Sequence, residues 1–464
     1  MMFRTFAGLS RVHFVGIGGA GMSGIAEVLL DYQLEVSGCD AAANEATDRL
    51  ARLGVAIHFG HSAEHLEGVD LVVKSSAVPD DNVEIAAARK RGITVARRSE
   101  MLGELMRLKY GIAVAGTHGK TTTTSMVGAI LTEAGLDPTV IVGGRLRVSG
   151  TGARLGKSDY LVAEADEFDR SFLRLAPVIA VITNIDADHL DTYGDLAAIK
   201  KAFVDFADRV PFFGRVILCL DNPNIQAVLP ELAGRRLFTY GLTPQADLSA
   251  VVLETRTTGS RFLVKRQDGG ELGELEVPMP GSHNIANALA ATAVGLSLEV
   301  PFATIARALS GFGGVHRRFE LVGSFQGASV IDDYAHHPTE VAATLEAARQ
   351  SCPRGRVLAI FQPHLFSRTR DHAGAFGRAL LSADRAWVTD IYASREKAIP
   401  GVSAELVVEA ARASGHHNVE LCPNWRELPS RLASVAEPGD LIITLGAGDI
   451  YQLGRALAAS GEAA

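Results

Sequence analysis

The stretch from Tyr110 to Thr124 places an apolar run, a glycine loop and a lysine-headed helical segment in direct succession. Ile112–Ala115 is typical of a buried strand, and Gly116–Gly119 forms the loop that precedes Lys120. Such a turn can bind phosphate, because backbone N–H groups and the positive helix end face the anion, the lysine adds a charge, and a threonine hydroxyl can hold Mg²⁺. Val114 stands where the full G-x-x-x-x-G-K-[ST] pattern has its first glycine. We predict a nucleoside-triphosphate site here, in preference to a tight turn with an incidental lysine.

The size and composition of the chain narrow its class. A length of 464 residues predicts about three domains, and 47% hydrophobic with 21% charged residues is typical of a soluble globular protein. The net charge of −8 argues against a nucleic-acid partner. The four cysteines lie far apart without ligand spacing, so we expect neither a disulfide framework nor a zinc knuckle, and a reducing, cytoplasmic setting. Glycines interrupt the apolar stretch Val12–Leu30, so we expect no membrane insertion.

A second glycine loop lies near the N-terminus. A predicted strand, Arg11–Val15, runs into Gly16-Ile-Gly-Gly-Ala-Gly-Met-Ser-Gly24 and a helix, and a second strand over Leu34–Gly38 leads to Asp40. This is the βαβ start of a dinucleotide-type fold with an acidic residue about twenty positions past the glycines. The loop indicates that a phosphate or pyrophosphate can approach the backbone. Taken alone it would favour NAD, which gives no role to the downstream lysine loop.

Acidic residues follow two further predicted strands. Tyr160–Ala163 leads into Glu164-Ala-Asp-Glu-Phe-Asp169, and Val178–Thr183 leads into Asn184-Ile-Asp-Ala-Asp-His189. Because the carboxyl ends of parallel strands share one edge of a sheet, both clusters should converge on the triphosphate and supply oxygen ligands for Mg²⁺. Some of these acids are expected to cap helices instead.

The remainder of the chain changes pattern twice. Residues 236–280 alternate as strands, with Asp268-Gly-Gly270 as a hairpin turn, and a helix with polar residues near its start begins at Ser282. From Ser329 onwards, strands again alternate with helices. We predict an α/β protein with domains over residues 1–108, 109–314 and 315–464.

The motifs together resemble one enzyme family, the Mur ligases. The resemblance is carried by the two glycine loops, Glu164–Glu167, Asn184–His189, Ser282-His-Asn-Ile-Ala-Asn287, Arg317-Arg-Phe319 and Asp332-Asp-Tyr-Ala-His-His-Pro338. It implies an N-terminal Rossmann-like domain that binds a UDP-sugar, a central P-loop-type ATPase domain with a mainly parallel sheet and a small antiparallel portion, and a C-terminal Rossmann-like domain that binds an amino acid. It also implies ATP, Mg²⁺ and a carboxylate–amine condensation through an acyl phosphate.

The resemblance, together with the chemistry of the residues, gives a set of site assignments. ATP is assigned to Gly116, Thr117, His118, Gly119, Lys120, Thr121, Thr122, His283, Asn287, Arg317 and Asp333. The metal is assigned to Thr121, Glu164 and His189, and catalysis to Lys120, His189 and Arg368. The UDP-sugar is assigned to Gly16, Gly18, Gly19, Ala20, Gly21, Met22, Ser23, Asp40 and Ser76. The amino acid is assigned to Tyr334, His336, His364 and Arg368.

Within the family, the N-terminal glycine loop and the Asp-Asp-Tyr-Ala-His-His-Pro motif are similar to those of the member that joins L-alanine to UDP-N-acetylmuramate. We expect a monomer or weak homodimer. Leu365 stands where many relatives have a second arginine, so the contacts to the amino acid are less determined than those to ATP. The alternatives are a ligase that attaches a ready-made tripeptide to the same sugar, a folate-type polyglutamate ligase, a nicotinamide-dependent dehydrogenase and a nucleotide-switch module.

Overall fold

The computed structural model describes residues 6, 8–143, 152–394 and 396–461. The contacts within the chain divide it into two compact units. The first comprises Met1–Ala250, Val264–Gly273 and Ala286–Gly313, and the second comprises Val251–Leu263, Glu274–Ile285 and Gly314–Ala464. The predicted domain boundaries near residues 108 and 314 stay predictions.

The first sheet of unit 1 is a five-stranded parallel sheet. Its strands are β1 (Arg11–Val15), β2 (Glu35–Asp40), β3 (Ala56–Phe59), β4 (Leu71–Lys74) and β5 (Thr94–Arg97), in the order β3-β2-β1-β4-β5. The helices are α1 (Ala20–Asp31), α2 (Glu45–Arg52), α3 (Val83–Lys90) and α4 (Arg98–Arg107). The strand order reverses between β1 and β4, and ligands of open parallel sheets bind at such a reversal. The glycine loop leaves β1 at this point, as the βαβ pattern predicts.

A larger sheet follows, most of which belongs to the same unit. Its mainly parallel part contains β6 (Tyr110–Ala115), β7 (Thr139–Ile141), β8 (Ala153–Arg154), β9 (Tyr160–Glu164), β10 (Ile179–Ile182), β11 (Arg215–Cys219) and β12 (Leu237–Gly241), in the order β12-β11-β10-β6-β9-β7-β8. Its helices are α5 (Lys120–Glu133), α6 (Leu190–Tyr193), α7 (Leu196–Ala207), α8 (Pro223–Val228), α9 (Ser282–Ser297) and α10 (Phe302–Ser310). β6 is flanked by β9 and β10 with Val114 opposite Glu164 and Ala115 opposite Ile182. The predicted convergence of these strand ends is therefore confirmed.

Three further strands extend this sheet beyond β12. They are β13 (Leu248–Arg256), β14 (Gly259–Arg266) and β15 (Glu271–Val277), in the order β15-β14-β13. The connection between β14 and β15 contains Gly269 at φ +84°, a left-handed conformation that glycine adopts without steric cost. The predicted Asp268–Gly270 hairpin turn is thus confirmed, and the short connections make these strands antiparallel.

The third sheet belongs to unit 2. Its strands are β16 (Glu320–Phe325), β17 (Ala328–Asp333), β18 (Val357–Phe361), β19 (Arg385–Val388), β20 (Val419–Leu421) and β21 (Leu441–Leu445), in the order β16-β17-β21-β18-β19-β20. All neighbours are parallel except β16 and β17. The helices are α11 (Pro338–Ser351), α12 (Phe366–Ala379), α13 (Glu405–Ala413), α14 (Leu428–Ala433) and α15 (Tyr451–Gly461).

The central strands of the third sheet are buried on both faces because they are largely apolar. In β18, Ala359 and Phe361 pack in one core cluster, while Leu358 and Ile360 pack in another on the opposite face. Short 3₁₀ helices occur at Ala63–Leu66, Ser171–Arg174, Leu229–Leu232, Leu380–Ser382 and Trp425–Glu427. Among the described residues, no helix combines the length and the apolar character needed to cross a bilayer.

Candidate active site

The loop between β6 and α5 is shaped by two glycines. Gly116 has φ +128° and Gly119 has φ +82°, both in the region that side chains disfavour. A Cβ at Gly119 would lie 2.5 Å from Asn287 Oδ1, and one at Gly116 would collide with the Thr183 hydroxyl. The glycines therefore allow the loop to approach its neighbours closely.

The end of β10 holds this loop in place. Asn184 Oδ1 accepts a hydrogen bond from the His118 N–H at 2.8 Å, and Asn184 Nδ2 donates to the His118 carbonyl at 3.0 Å. Thr183 Oγ1 donates to the same carbonyl at 2.5 Å. Thr117 Oγ1 accepts from the Asp186 N–H at 2.9 Å. The second acidic cluster thus begins with residues that brace the glycine loop.

Lys120 is held by its own loop and by one carboxylate. Its Nζ donates to the carbonyls of Gly116 at 2.8 Å and Thr117 at 3.1 Å, and to Glu167 Oε1 at 2.9 Å. Burial opposes the charge on the lysine, but the carboxylates of Glu167, Asp166 and Glu164 raise its pKa above the ordinary value. Lys120 is therefore a fixed cation at the N-terminus of α5.

Glu167 is the most buried of these acids, with 3% of its side chain exposed. Burial raises the pKa of Glu167 to about 7, although the charge of Lys120 lowers it. The Tyr193 hydroxyl donates to the Glu167 carbonyl at 2.6 Å, which ties the acidic segment to α6.

Thr121 and Glu164 form the pair that suits a divalent cation. The Thr121 hydroxyl lies 3.0 Å from both oxygens of Glu164, and the Gly143 N–H donates to Glu164 Oε2 at 2.7 Å. Hydroxyl and carboxylate oxygens are ligands that Mg²⁺ prefers. The arrangement follows from the register, because Glu164 is the last residue of β9 and Thr121 lies in the first turn of α5.

His189, which the sequence assigns to the metal and to catalysis, lies beside Glu167. Its Nε2 is 3.9 Å from Glu167 Oε1 and 3.6 Å from Asp188 Oδ2, and its ring meets Phe168 edge-on with the centroids 5.0 Å apart. The backbone of His189 is left-handed, with φ +54°, immediately before α6. The structure therefore brings His189 together with the Lys120–Glu167 pair.

The glycine loop after β1 is organised by the end of β2. The N–H groups of Gly16 and Ile17 both donate to the Cys39 carbonyl, at 2.9 and 3.0 Å. Asp40 Oδ2 accepts from the Gly18 N–H at 2.8 Å. Gly19 precedes the first turn of α1, which contains Ala20, Gly21, Met22 and Ser23. Asp40 therefore acts on the loop itself, and the loop leads to a helix N-terminus suited to a pyrophosphate.

A cavity of about 230 Å³ borders the N-terminal glycine loop of unit 1. It is lined by Gly19, Gly21, Met22, Ser75, Arg98, Ile141, Val142, Gly143, Glu164 and Asp166. Glu164 contributes to this cavity and also contacts Thr121 of the lysine loop. A ligand on the N-terminal glycine loop thus shares a cavity with the candidate metal ligand.

A second cavity, of about 330 Å³, lies on the other side of Arg98. Ser76 lines this second cavity, whereas its neighbour Ser75 lines the first. Arg98 contributes to both, and its Nη2 lies 4.0 Å from Asp166 Oδ2. Arg98 thus places a positive charge at the border of both cavities.

Two assigned residues of α9 have different surroundings. Asn287, in unit 1, accepts from the Thr123 hydroxyl at 3.2 Å beside Gly119. His283, in unit 2, has its pKa lowered to about 4, mainly by burial and secondarily by the charge of Arg318. His283 is therefore neutral near pH 7.

Arg317 and Asp333 are engaged within unit 2. Arg317 donates to Asp332 Oδ2 at 3.0 Å and to the carbonyls of Gly446 and Gly448 at 2.5 and 3.2 Å. Asp333 accepts from two backbone N–H groups, and burial raises its pKa to about 6. The charge that most opposes this rise is that of Arg318 rather than Arg317.

The residues assigned to the amino acid lie together in unit 2. The ring of His336 meets those of Tyr334 and His364 edge-on, with centroids 5.2 and 5.6 Å apart. Arg368 Nη1 lies 3.4 Å from His364 Nδ1. Leu365, immediately before α12, has φ +71°, an unfavourable value for a side chain with a Cβ. The assigned set therefore forms one cluster around the start of α12.

The structure also places residues near the site that the sequence assignments omit. Glu167 binds Lys120, Asn184 braces the loop, and Arg98 lines both cavities. Glu167 and Asn184 belong to motifs that carried the family resemblance, so the signal was available for them. Arg98 belongs to no motif, so nothing in the sequence marked it. Its position beside the cavities follows from the packing of α4.

Comparison with known proteins identifies the family. The model described as "Mur ligase family, catalytic domain" matches residues 11–110, "Mur ligase middle domain" matches 114–295, and "Mur ligase, glutamate ligase domain" matches 317–448. The chain belongs to the Mur ligase family. Its three-sheet α/β organisation is the Mur ligase architecture, as the sequence predicts.

Two full-length relatives of the chain are UDP-N-acetylmuramate–L-alanine ligases. The UDP-N-acetylmuramate–L-alanine ligase of Sorangium cellulosum is 53% identical over 98% of this chain and 97% of its own length. That of Syntrophotalea carbinolica is 52% identical over 97% of this chain and 98% of its own length. Among solved structures, the UDP-N-acetylmuramate–alanine ligase of Thermotoga maritima has a TM-score of 0.80 and 30% identity, covering 98% of this chain and 99% of its own. A murein peptide ligase from Psychrobacter arcticus has a TM-score of 0.67 and 26% identity, covering 97% and 98%.

Proposed function

We propose that this Mur ligase joins L-alanine to the carboxylate of UDP-N-acetylmuramate, with ATP converted to ADP and phosphate. The full-length relatives at 52–53% identity support this choice of substrates. The observation that carries the proposal is the position of Glu164, which contacts Thr121 of the lysine loop and lines the cavity of the N-terminal glycine loop. A nucleotide on one loop and a UDP-sugar on the other would meet at this carboxylate.

The first step transfers the γ-phosphoryl group to the sugar carboxylate. Both reactants are anionic, so positive charge must lie between them. Lys120 supplies one fixed charge at the start of α5, and Arg98 lines the cavity of the N-terminal glycine loop. The N–H groups at the start of α5 would bind phosphate oxygens.

Thr121 and Glu164 fit Mg²⁺, because both present hard oxygen donors within 3.0 Å of each other at the N-terminus of α5. The ion supplies charge neutralisation on the phosphates when bound. His189 lies beside Glu167 and Asp188, and we assign it to the edge of the same acidic group.

The second step needs a neutral amine to attack the acyl phosphate. We assign the carboxylate of L-alanine to Arg368, because a guanidinium binds carboxylates through two parallel hydrogen bonds. Tyr334, His336 and His364 surround this arginine in unit 2. We assign His283, Asn287, Arg317 and Asp333 to ATP on the strength of the family motifs. We also propose that the protein is a cytoplasmic monomer or weak homodimer.

The test measures phosphate release from ATP and Mg²⁺ by the purified protein. UDP-N-acetylmuramate, single amino acids and the tripeptide L-alanyl-γ-D-glutamyl-meso-diaminopimelate are supplied separately and in pairs. Release that requires both the sugar and L-alanine is the expected result. Release with the tripeptide and not with alanine would make the protein a murein peptide ligase instead. No turnover with any pair would overturn the proposal.

A further inference from the structure

A buried cluster of metal-ligating side chains lies beneath the N-terminal glycine loop in unit 1. His13 lies in β1, Cys39 in β2 and Glu84 in the first turn of α3. All three side chains are fully buried. One donor atom from each lies within 4.8 Å of the other two. Three elements that are distant in sequence thus bring a nitrogen, a sulfur and an oxygen donor to one point.

A fourth donor stands beside these three. Glu84 Oε2 is 2.8 Å from Cys39 Sγ and 3.5 Å from His13 Nε2. His61 Nδ1 lies 3.2 Å from Cys39 Sγ and 3.7 Å from Glu84 Oε2. Two imidazoles, a thiol and a carboxylate form a ligand set that zinc binds in tetrahedral sites. The thiol and imidazoles favour zinc over magnesium, which prefers oxygen ligands.

The surroundings hold these donors in the orientation that a metal requires. His13 Nδ1 lies 2.9 Å from the Ser37 hydroxyl, which leaves Nε2 directed into the cluster. Glu84 Oε1 is occupied by His65 Nδ1 at 2.6 Å and by the Ser62 N–H at 3.0 Å, so that Oε2 faces the other donors. Metal-binding histidines and carboxylates are usually fixed in this way through their second polar atom.

A buried hydrogen-bond network is the competing explanation. The Cys39 thiol donates to Glu84, which accounts for the sulfur and the carboxylate. It leaves His13 Nε2 buried without a hydrogen bond, with only the 3.5 Å contact to Glu84 Oε2, an oxygen that already accepts from the thiol, and buried nitrogens without a hydrogen bond are rare. A metal ion would satisfy this nitrogen. We propose that His13, Cys39, Glu84 and His61 form a zinc site separate from the magnesium site assigned to ATP.

The position of the cluster gives the metal a structural role. The Cys39 carbonyl accepts the N–H groups of Gly16 and Ile17, and the next residue, Asp40, accepts that of Gly18. Zn²⁺ bound to Cys39 would fix the end of β2, and with it the glycine loop. Binding replaces the thiol proton, which passes to solvent, by a sulfur–zinc bond.

The experiment uses the full-length protein, stripped with a chelator and titrated with Zn²⁺ or Co²⁺ in the absence of nucleotide. We expect one equivalent to bind, with a thiolate-to-cobalt charge-transfer band and a higher melting temperature in Zn²⁺. Cys39→Ser should remove the band and weaken Zn²⁺ binding by at least about tenfold. The matched control is Cys219→Ser, another buried cysteine in β11 that should bind as the wild type does.

Two further variants keep the test decisive if Cys39→Ser does not fold. His61→Asn changes a side chain that is 31% exposed, and His65→Asn removes the support of Glu84. Each should weaken Zn²⁺ binding about 10- to 100-fold. If the wild type binds no metal, or if Cys39→Ser and His61→Asn bind Zn²⁺ as tightly as the wild type does, the zinc proposal is wrong. The cluster is then a buried hydrogen-bond network. Ligase turnover plays no part, so this result is independent of the proposed function.

Discussion

The hydroxyl of Thr121 lies 3.0 Å from the carboxylate of Glu164, at the point where the lysine loop meets the cavity of the N-terminal glycine loop. The contact exists because β9 ends beside β6, with Glu164 opposite Val114. One carboxylate can therefore contact the lysine loop and also border the cavity of the N-terminal glycine loop. This relationship makes Glu164 the most informative acid to change.

Glu164→Gln should raise the Mg²⁺ concentration needed for half-maximal phosphate release about tenfold or more, because an amide is a weaker ligand than a carboxylate. A Mg²⁺ titration at saturating substrates measures the shift. The control is Glu133→Gln at the other end of α5, where the glutamate pairs with Arg307 at 3.1 Å. An unchanged Mg²⁺ dependence in Glu164→Gln would remove this residue from the metal site.

Lys120→Met should lower kcat about 10²- to 10³-fold, the usual cost of losing one preorganised group that stabilises developing charge. It also leaves Glu167 buried without its partner, which is destabilising by a few kcal/mol. The double variant Lys120→Met/Glu167→Gln separates the two effects, since it should regain stability without regaining activity. Rescue of turnover by the second substitution would show that Lys120 has a structural role alone. Lys265→Met, in the surface pair with Glu271, is the lysine control.

The elements that depend on local chain chemistry could be predicted from the sequence. The strand before Gly116, the helix from Lys120 and the turn at Gly269 follow from apolar runs and glycines, and parallel pairing then brings the acidic strand ends together. β2 begins one residue later than predicted and continues to Asp40. Its end is extended because it accepts hydrogen bonds from the glycine loop and also pairs with the neighbouring strands.

Contacts set by tertiary packing could not be predicted in the same way. The sequence does not show that Ser75 borders the first cavity and Ser76 the second. Consecutive side chains point in different directions, and only the folded backbone decides which one faces which cavity. The His13–Cys39–Glu84 cluster has no ligand spacing, because β1, β2 and α3 each supply one member. A sequence with isolated cysteines can therefore still assemble a metal-ligating group.

Arg368→Lys should raise the KM for L-alanine at least about tenfold with a smaller effect on the KM for ATP, because lysine cannot form the paired hydrogen bonds of a guanidinium. Arg370→Lys, two residues along the same helix, is the control, since Arg370 pairs with the exposed Asp371. Initial rates over a range of alanine concentrations give both constants. Equal effects of the two substitutions would place the alanine carboxylate elsewhere.

His283 should make the stability of unit 2 depend on pH. Its pKa is about 4 in the folded protein against an ordinary 6.5, so the unfolded chain binds more protons between these values. The stability is therefore fully present above pH 6.5 and decreases as the pH falls toward 4, by on the order of 3 kcal/mol. Below pH 4 this contribution should change no further.

The fluorescence of the tryptophans reports on this unit, since both tryptophans of the chain, Trp387 and Trp425, lie within it. Urea unfolding at pH 7.5 and pH 4.5 should show a smaller loss of stability on acidification for His283→Asn than for the wild type. His417→Asn changes an exposed histidine of the same unit and should behave as the wild type does. If His283→Asn and the wild type lose equal stability between the two pH values, the pKa of His283 is not lowered in the folded protein.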